Sequence, residues 1–286
     1  YLGLLLALPH AIWTGTDLSS SRGAKLYWVA LHAAALGAVL VWRVAVPVRR
    51  SVRHRIVVDK VVPESPGVVS IYLTGRDLPA LDAAAGQFFT WRFRSGPGWT
   101  RGHPFSLSEA PRGDRLRITV KDLGDGSHAL TELRPGTRAL IEGPYGRLHP
   151  GVRTRQKVTL IGAGIGIAPL RALLEALDVA PGDLTMICRA HDEESLALRS
   201  EIDALAASSG ARVFHVVGPR VTDRASWLPV SAAHLTDVQA LRELVPDIAG
   251  HDVFLCGADA WMDAVRAAAL EAGVPSAAIH RERFSW

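Results

Sequence analysis

Three patterns of hydrophobic and polar positions follow one another along the chain. Residues 26–48 are almost continuously apolar, with Arg43 as their only charge, and a run of this length exceeds the roughly 20 residues that span a bilayer core. Short β-rich runs separated by Gly, Pro and Asp occupy residues 54–150, a pattern typical of a small antiparallel barrel. From residue 155, apolar strands alternate with segments of helical period, which indicates a parallel sheet flanked by helices.

These patterns predict an α+β multidomain protein. Residues 1–50 are expected to be the C-terminal part of a transmembrane helical bundle, with the end of one helix at 1–13 and one complete helix at 26–48. Residues 51–152 are expected to form an antiparallel β-barrel, and residues 153–286 an α/β domain with a parallel sheet. A buried helical hairpin of a soluble protein is the alternative for the first segment, but soluble core helices of this length usually carry a polar stripe.

Charge and cysteine content exclude several classes of function. The chain has 32 basic and 28 acidic residues, and residues 51–286 contain 27 of each, so no nucleic-acid footprint is expected on the folded domains. Four arginines within residues 49–55 follow the apolar run, and by the positive-inside rule they place that end of the helix in the cytoplasm. The only cysteines, Cys188 and Cys256, exclude a disulfide scaffold, a four-cysteine zinc site and a cysteine-ligated iron–sulfur cluster in this chain.

Two segments of the predicted barrel have the composition of a ligand site. In an extended segment 103–106, His103 and Phe105 point to one face and Ser106 to the other, which suits a flat ligand with phosphates. Lys121 and the Gly-Asp-Gly-Ser turn at 124–127 form a second cluster, because backbone N–H groups of such a turn can hold phosphate. Each signal is weak alone, since Phe105 is equally suited to a core.

The third domain carries a glycine turn between a strand and a helix. The apolar strand 157–161 runs into glycines at 162, 164 and 166, and Pro169 fits the first turn of the following helix. Such a turn brings backbone N–H groups and a helix N-terminus to a pyrophosphate, although a plain tight turn has the same pattern. Arg189, after the next strand, is a candidate for a 2′-phosphate or simply a solvated charge. Cys256 ends the last long strand, where open sheets bind ligands, or fills a core.

The motifs His-Pro-Phe-Ser, Gly-Pro-Tyr-Gly, Gly-x-Gly-x-Gly-x-x-Pro, Cys-Gly and a terminal Glu-x-Phe occur in this order. Together they resemble the ferredoxin–NADP reductase superfamily, in its membrane branch of ferric reductases and NADPH oxidases. The chain most resembles bacterial ferric-reductase-like flavohaem proteins, truncated at the N-terminus. The resemblance covers essentially all 286 residues and implies that residues 51–152 bind FAD and residues 153–286 bind NAD(P)H.

The resemblance also implies roles for individual residues. Those carried over to FAD are His103 at the pyrophosphate, Pro104 in the same motif, Phe105 on the isoalloxazine, Ser106 near its N5, and Lys121, Gly126 and Ser127 at the phosphates. Those carried over to NADPH, with NADH as the alternative coenzyme, are Gly162, Gly164, Gly166 and Pro169 at the pyrophosphate, Arg189 at the 2′-phosphate, and Cys256, Gly257, Glu282 and Phe284 at the nicotinamide. Trp286 is the alternative stacking ring for Phe284. The candidates for the catalytic set are Ser106, Cys256, Glu282 and Phe284.

Haem b is implied for the complete protein, with His10 as a possible ligand on the outer end of a membrane helix. The haem-binding helix that would supply the partner ligands is absent from this sequence, so neither haem site is complete in it. Two residues depart from the family pattern: Ala258 stands where Pro is usual, and Ala168 where Thr is common. The second change removes a possible phosphate donor.

The expected function is a membrane flavin oxidoreductase. A hydride passes from NADPH to FAD, and single electrons then pass toward haem and an outer acceptor, a ferric chelate or O2. The expected location is the cell membrane, multi-pass, with the FAD and NAD(P)H domains cytoplasmic. Two alternatives are a reductase that donates electrons to a partner redox protein or quinone, and a degenerate, non-enzymatic membrane protein that retains the fold.

Overall fold

The structure, a computed structural model, describes Gly3, His10 and residues 21–283, with backbone alone at Asp125. It divides into two compact units, Tyr1–Val52 and Arg53–Trp286. The helix end predicted at residues 1–13 lies outside the described residues, apart from Gly3 and His10, which are both helical.

A continuous helical segment leads from the first unit into the start of the second. Its parts are α1 (Arg22–Leu40), a π-helical turn (Val41–Ala45) and α2 (Val46–His54). Ser21 begins it, because its hydroxyl accepts a hydrogen bond from the N–H of Ala24 at 3.1 Å. By length and composition, Arg22–His54 is long and apolar enough to cross a membrane, and it is the single such helix in the described part of the chain. The predicted bundle is therefore not supported by these residues, and the helix continues past the predicted boundary at residue 50.

The first part of the second unit, residues 53–152, is called the antiparallel half. Its strands are β1 (Val57–Ser65), β2 (Val68–Thr74), β3 (Phe88–Phe93), β4 (His103–Ser106), β5 (Arg115–Lys121) and β6 (Ala139–Tyr145). They form two three-stranded sheets, in the orders β1-β2-β5 and β4-β3-β6, and every neighbouring pair is antiparallel. A short helix, α3 (Asp125–Thr131), follows β5.

The predicted closed barrel is wrong. Among residues 53–152, isolated bridges such as Val57 to Arg138 and Leu107 to Ile118 link the two sheets in place of continuous ladders. The short strand β4 explains the gap, because it has four residues and its Pro104 has no N–H to donate to a second neighbour. The pattern of short strands correctly predicted that strands form, but the inference that they close into one barrel was wrong.

The core of the antiparallel half follows from the alternation of β3. Phe89, Trp91 and Phe93 are buried, while the residues between them are half-buried. The indole N–H of Trp91 donates to the carbonyl of Phe105 at 3.1 Å, so a core side chain is hydrogen-bonded to the backbone of β4. This contact fixes the strand that carries the His-Pro-Phe-Ser motif.

The remaining described residues, 153–283, form the parallel half. Its strands are β7 (Lys157–Ala163), β8 (Leu184–Ala190), β9 (Arg212–Val217), β10 (His251–Cys256) and β11 (Ile279–Arg281). Its helices are α4 (Ile167–Ala176), α5 (Arg199–Ser209), α6 (Asp237–Leu244) and α7 (Asp259–Glu271). The sheet order is β11-β10-β7-β8-β9, with all neighbours parallel, and β8 and β10 are buried along their whole length. This confirms the predicted parallel sheet.

The strand order reverses between β7 and β10. After β7 the chain adds β8 and β9 on one side, then returns to add β10 and β11 on the other. Loops after two strands that diverge in this way leave a crevice at their carboxyl ends, where open sheets bind ligands. Here those ends are Ala163 and Cys256, with Cys256 paired to Gly162.

Asp252, on β10, joins the start and the end of the parallel half. Its fully buried carboxylate accepts the N–H groups of Thr154 and Arg155, each at 2.6 Å. It also accepts Nε2–H of His280 on β11 at 2.9 Å. The first residues after the link between the halves and the last strand therefore meet at one carboxylate.

Candidate active site

The turn after β7 leaves no room for a side chain at Gly166. A Cβ at this position would meet the carbonyl group of Cys256 and, at 2.8 Å, the backbone nitrogen of Gly257. Gly162 is restricted from the other side, since its Cβ would lie 2.8 Å from Leu170. Gly164 has a φ of +54°, with open space where a Cβ would point. The glycine turn therefore packs directly on the end of β10 and has open space beside Gly164.

A cleft of about 390 Å³ opens above this turn and is bounded by both halves. From the antiparallel half it is lined by Pro104, Phe105, Ser106, Thr119, Lys121 and Leu123. From the parallel half it is lined by Ala163, Ile165, Gly166, Ala168, Pro169, Cys256, Gly257 and Ala258. The cleft thus brings together eight residues predicted for two different ligands: Pro104, Phe105, Ser106, Lys121, Gly166, Pro169, Cys256 and Gly257.

Ser106 is the notable polar group of the cleft. It ends β4 and is buried, and its Oγ has no hydrogen-bond partner among the described residues. A buried hydroxyl without a partner is unfavourable by roughly 1–3 kcal/mol, so the arrangement favours a ligand that supplies one. Thr119, on β5, is a second polar lining residue, but its hydroxyl donates to Ser108 Oγ at 2.8 Å. Sequence reasoning missed Thr119, because a Thr inside an apolar strand carries no signal.

His103 and Gly126 lie beside the cleft and line a separate cavity of about 530 Å³. The His103 and Phe105 rings stack at 6.3 Å, as expected for alternate residues of a strand, and a Cβ on Gly126 would lie 3.1 Å from His103 Cε1. Burial, together with the charge of Arg101, lowers the pKa of His103 below its ordinary value. The imidazole is therefore biased toward its neutral form.

Ser127 lies in the first turn of α3, where its hydroxyl is engaged. Its hydroxyl accepts the N–H of Leu123 at 2.7 Å and donates to the carbonyl of Gly124 at 3.0 Å. The predicted role at a phosphate would use the backbone of this turn or require the hydroxyl to exchange partners. The geometry explains why a serine suits the position without any ligand.

Arg189, predicted at a 2′-phosphate, is not among the residues that line the cleft. Its guanidinium is buried and donates to backbone carbonyls, those of Trp227 at 3.2 Å, Val216 at 3.4 Å and Ala190. Burial and then the charge of Arg220 lower its pKa relative to the ordinary value. A guanidinium satisfied by carbonyls at the end of β8 stabilises the strand ends, and this explains its position.

Cys256 and Glu282 are coupled electrostatically. Burial and the nearby charge of Glu282 raise the pKa of the Cys256 thiol to about 12, so it is a neutral thiol. Burial also raises the pKa of Glu282, although the N–H of Leu148 opposes the shift. The Glu282 carboxylate rests on Gly146, where a Cβ would lie 2.6 Å from its Oε1. Gly146 of the Gly-Pro-Tyr-Gly motif, just after β6, and Glu282 of the Glu-x-Phe motif thus meet, although they lie far apart in sequence.

Three predicted residues have limited or no description in the structure. Phe284 and Trp286 lie outside the described residues. His10 is helical and exposed. Among the described residues, no group of three or more His, Cys, Asp or Glu side chains is arranged to hold a metal ion.

The comparisons with known proteins agree with this geometry. Residues 160–267 match the family described as the oxidoreductase NAD-binding domain. The chain is 30% identical over 234 residues to a flavohemoprotein of Bacillus subtilis, across 80% of this chain and 58% of that protein. It superposes on the flavohem-like FAD/NAD-binding domain of the nitric oxide dioxygenase of Vibrio cholerae with a TM-score of 0.63 and 25% identity, covering 81% of this chain and 99% of that domain. These likenesses show an oxidoreductase NAD-binding domain in residues 160–267 and a fold shared with FAD- and NAD(P)-binding reductases.

The chain is also similar to reductases of other electron-transfer systems. The ferredoxin reductase component of 3-ketosteroid-9-alpha-monooxygenase from Mycolicibacterium smegmatis is 31% identical over 237 residues, across 79% of this chain and 64% of that protein. A ferredoxin NADP+ reductase of Neisseria gonorrhoeae with bound FAD and NADP shares the fold at a TM-score of 0.62 and 18% identity. The chain spans about three fifths of the length of the curated relatives it matches.

The cleft fits the two ligands that the sequence motifs imply. An unpartnered hydroxyl at Ser106 and the ring of Phe105 suit the polar edge and the face of a flavin. On the opposite wall, Gly166 and the start of α4 suit a dinucleotide pyrophosphate, whereas Gly162 and Gly164 of the same turn do not line the cleft. The residues present therefore fit FAD and NAD(P)H.

Proposed function

We propose that residues 53–286 pass a hydride from NAD(P)H to FAD, as the reductase part of a membrane-anchored flavin oxidoreductase. The observation that carries the proposal is the single cleft that places Phe105 and Ser106 opposite Gly166 and Cys256. FAD, when bound, supplies the chemistry that takes two electrons as a hydride and gives them up singly. Hydride transfer needs close and aligned approach, which two walls facing one cleft provide.

Each wall of the cleft has a separate task in this proposal. The Ser106 hydroxyl donates to the flavin edge and Phe105 covers its face, while Lys121 supplies positive charge near the phosphates. Gly166 allows the dinucleotide backbone to approach the end of β10, and the neutral Cys256 thiol fills space beside the nicotinamide without reacting. The buried Arg189 gives no preference for a 2′-phosphate, so the coenzyme is proposed as NAD(P)H.

The onward path of the electrons is proposed from the first unit. The helix Arg22–His54 supports an anchor in the cell membrane, with both halves of the second unit on the cytoplasmic side. In the complete multi-pass protein, His10 would be one ligand of haem b, which would supply one-electron transfer toward a ferric chelate or O2 outside. On this proposal, the protein is of the membrane ferric reductase and NADPH oxidase-like branch.

A second candidate is electron donation to a partner redox protein or a quinone. The observation in its favour is the likeness to the ferredoxin reductase component of 3-ketosteroid-9-alpha-monooxygenase. It shares every cleft residue with the first candidate. A degenerate, non-enzymatic membrane protein is disfavoured, since an inactive protein has no reason to keep a buried hydroxyl unpartnered at Ser106.

Anaerobic flavin reduction tests the proposal. The full chain, purified in detergent and loaded with FAD, is mixed with NADPH or NADH while the visible flavin absorbance is followed. Bleaching by either coenzyme is the expected result, and FAD binding without bleaching by either contradicts hydride transfer. Oxidation of the reduced protein by a ferric chelate, O2 or a quinone then separates the two candidates for the acceptor.

A further inference from the structure

A set of charges, partly to fully buried, crosses the contact between the two halves. Glu201, on α5 of the parallel half, accepts a hydrogen bond from Nη1 of Arg117 on β5 at 2.8 Å. Its other oxygen lies 2.9 Å from Nε of Arg171 on α4. The Arg117 side chain is 1% exposed, that of Arg171 is 9% exposed and that of Glu201 is 32% exposed.

The same set includes a second carboxylate of the parallel half. Glu175, on α4, accepts the backbone N–H of Ala110 at 2.9 Å and pairs with Arg112 at 2.9 Å, both from the antiparallel half. It also pairs with Arg171 within its own helix. Glu175, Glu201, Arg117 and Arg171 are here called the clamp.

The clamp reaches both walls of the cleft through short chain segments. Arg117 donates from Nη2 to the carbonyl of Ser108 at 2.8 Å, and Ser108 Oγ accepts from Thr119, which lines the cleft. Arg171 lies two residues after Pro169, which lines the opposite wall. A shift of Glu201 relative to Arg117 would therefore move one wall against the other.

The charges of the clamp are retained in the folded protein. Burial disfavours the Arg117 charge, but hydrogen bonds to Glu201 and Tyr72 hold its pKa above the ordinary value. Burial likewise disfavours the Glu201 charge, while the hydrogen bond and charge of Arg117 and the charge of Arg171 hold its pKa below the ordinary value. Buried ion pairs are weak evidence for stability, and their best-attested use is to specify one arrangement among alternatives.

We propose that Glu201 is a positioning residue, which fixes the two walls of the cleft at the separation that hydride transfer needs. The proposal rests on the proposed function and deepens it. Glu201 contacts neither ligand and acts through Arg117 and Arg171. A local role in folding is a poor alternative, because without Glu201 each arginine keeps a carboxylate of its own half: Glu109 lies 3.8 Å from Arg117, and Glu175 pairs with Arg171.

The test compares the parent full chain with Glu201→Gln, which keeps the size of the side chain and removes its charge. Glu193→Gln is the matched control, because Glu193 forms an exposed ion pair with Arg199 in the same half. Amide hydrogen exchange is measured without ligands over residues 106–119 and 167–176. With FAD loaded, the limiting rate of flavin reduction and the dissociation constants for FAD and coenzyme are measured separately.

Support requires faster exchange in both segments and a fall of roughly tenfold or more in the limiting rate, with both dissociation constants unchanged. Glu201→Asp is expected to recover part of the rate. Unchanged exchange in Glu201→Gln overturns the proposal, and so does a rate loss that only follows weaker FAD binding. If the parent chain itself fails to reduce flavin, the proposed function has failed, and the exchange measurement alone still decides whether Glu201 holds the walls together.

Discussion

The two halves of the second unit build their sides of the cleft in different ways. The parallel half uses backbone: the Gly166 turn lies against the Cys256 carbonyl, with no space for a single added carbon. The antiparallel half uses side chains, namely Phe105, Ser106 and Lys121 on the ends of two strands. Backbone packing tolerates no graded change, whereas side chains can be shortened one at a time. Substitutions in the two halves should therefore fail in different ways.

The largest effect is expected from Gly166→Ala. Gly166 has a helical φ of −60°, so the substitution adds no backbone strain, and its Cβ collides with the end of β10. Displacement of the turn should reduce flavin reduction by NAD(P)H by more than about 100-fold, with FAD still bound. Stopped-flow absorbance measures this rate.

Gly250→Ala is the matched control, because nothing lies within 4 Å of a Cβ placed there. It should reduce flavin at the parent rate. A Gly166→Ala protein that reduces flavin normally would show that the turn can relax, and that the contrast between backbone and side-chain walls is wrong.

Ser106→Ala should give the next largest effect. It should lower the activity without lowering the stability of the apoprotein. Loss of one donor aimed at the reacting ring is worth roughly 100-fold in the rate of flavin reduction. The free energy of unfolding without FAD should stay the same or rise slightly, because Ser106 Oγ has no partner to lose among the described residues. Urea unfolding of the apoprotein and flavin reduction of the loaded protein are compared, with the exposed Ser208→Ala as control. A loss of apoprotein stability would contradict the assignment of Ser106 to the ligand.

Arg189→Ala should act on stability and leave coenzyme choice unchanged. Its guanidinium donates to the carbonyls of Trp227 and Val216, and their loss should lower the free energy of unfolding by about 1–3 kcal/mol. Urea unfolding measures this change, and flavin reduction rates give the ratio of NADPH to NADH. A selective loss of NADPH activity would instead return Arg189 to the 2′-phosphate.

The smallest effect is expected from Glu282→Gln, on the pH dependence of stability. Burial raises the pKa of Glu282 above its ordinary value of 4.5, so in the pH range between the two values the folded chain binds more protons than the unfolded chain. This contribution to stability is present at lower pH and is lost as the pH rises through the raised pKa. As the pH rises from about 4 to about 8, the free energy of unfolding of Glu282→Gln should therefore increase relative to that of the parent.

Chemical unfolding at the two pH values measures that gain. The control is Glu271→Gln, an exposed residue at the end of α7, which should follow the parent at both values. An identical pH dependence in Glu282→Gln and the parent would mean that Glu282 is not buried in solution.

The sequence predicted local structure better than contacts between distant segments. Strand β7, its glycine turn and α4 follow from an apolar run, three glycines and leucines at helical spacing, and the structure has all of them. Closure of the barrel was predicted wrongly, because short strands specify their own pairing but not whether two sheets join. The motif residues that meet in the cleft were found, but Thr119 was not.

The clamp shows why the remaining contacts around the site could not be predicted from the sequence. Arg117 and Glu201 are separated by 84 residues and belong to a strand and a helix in different halves. Neither has a sequence neighbour that marks it as an interface residue, and an arginine in a strand is ordinarily expected to face water. The direction of Arg189 depended in the same way on the carbonyl of Trp227, at a separation of 38 residues.

Asp252 makes the parallel half a closed module. The residues that enter this half, Thr154 and Arg155, and the last strand, through His280, are bonded to the same carboxylate. A domain whose termini lie close together tolerates circular permutation, in which the termini are joined and the chain is opened at another loop. It also tolerates insertion into another chain. A circularly permuted chain that joins residue 283 to residue 153 by a short linker and opens in the exposed loop at 178–182 should therefore fold with the same sheet order.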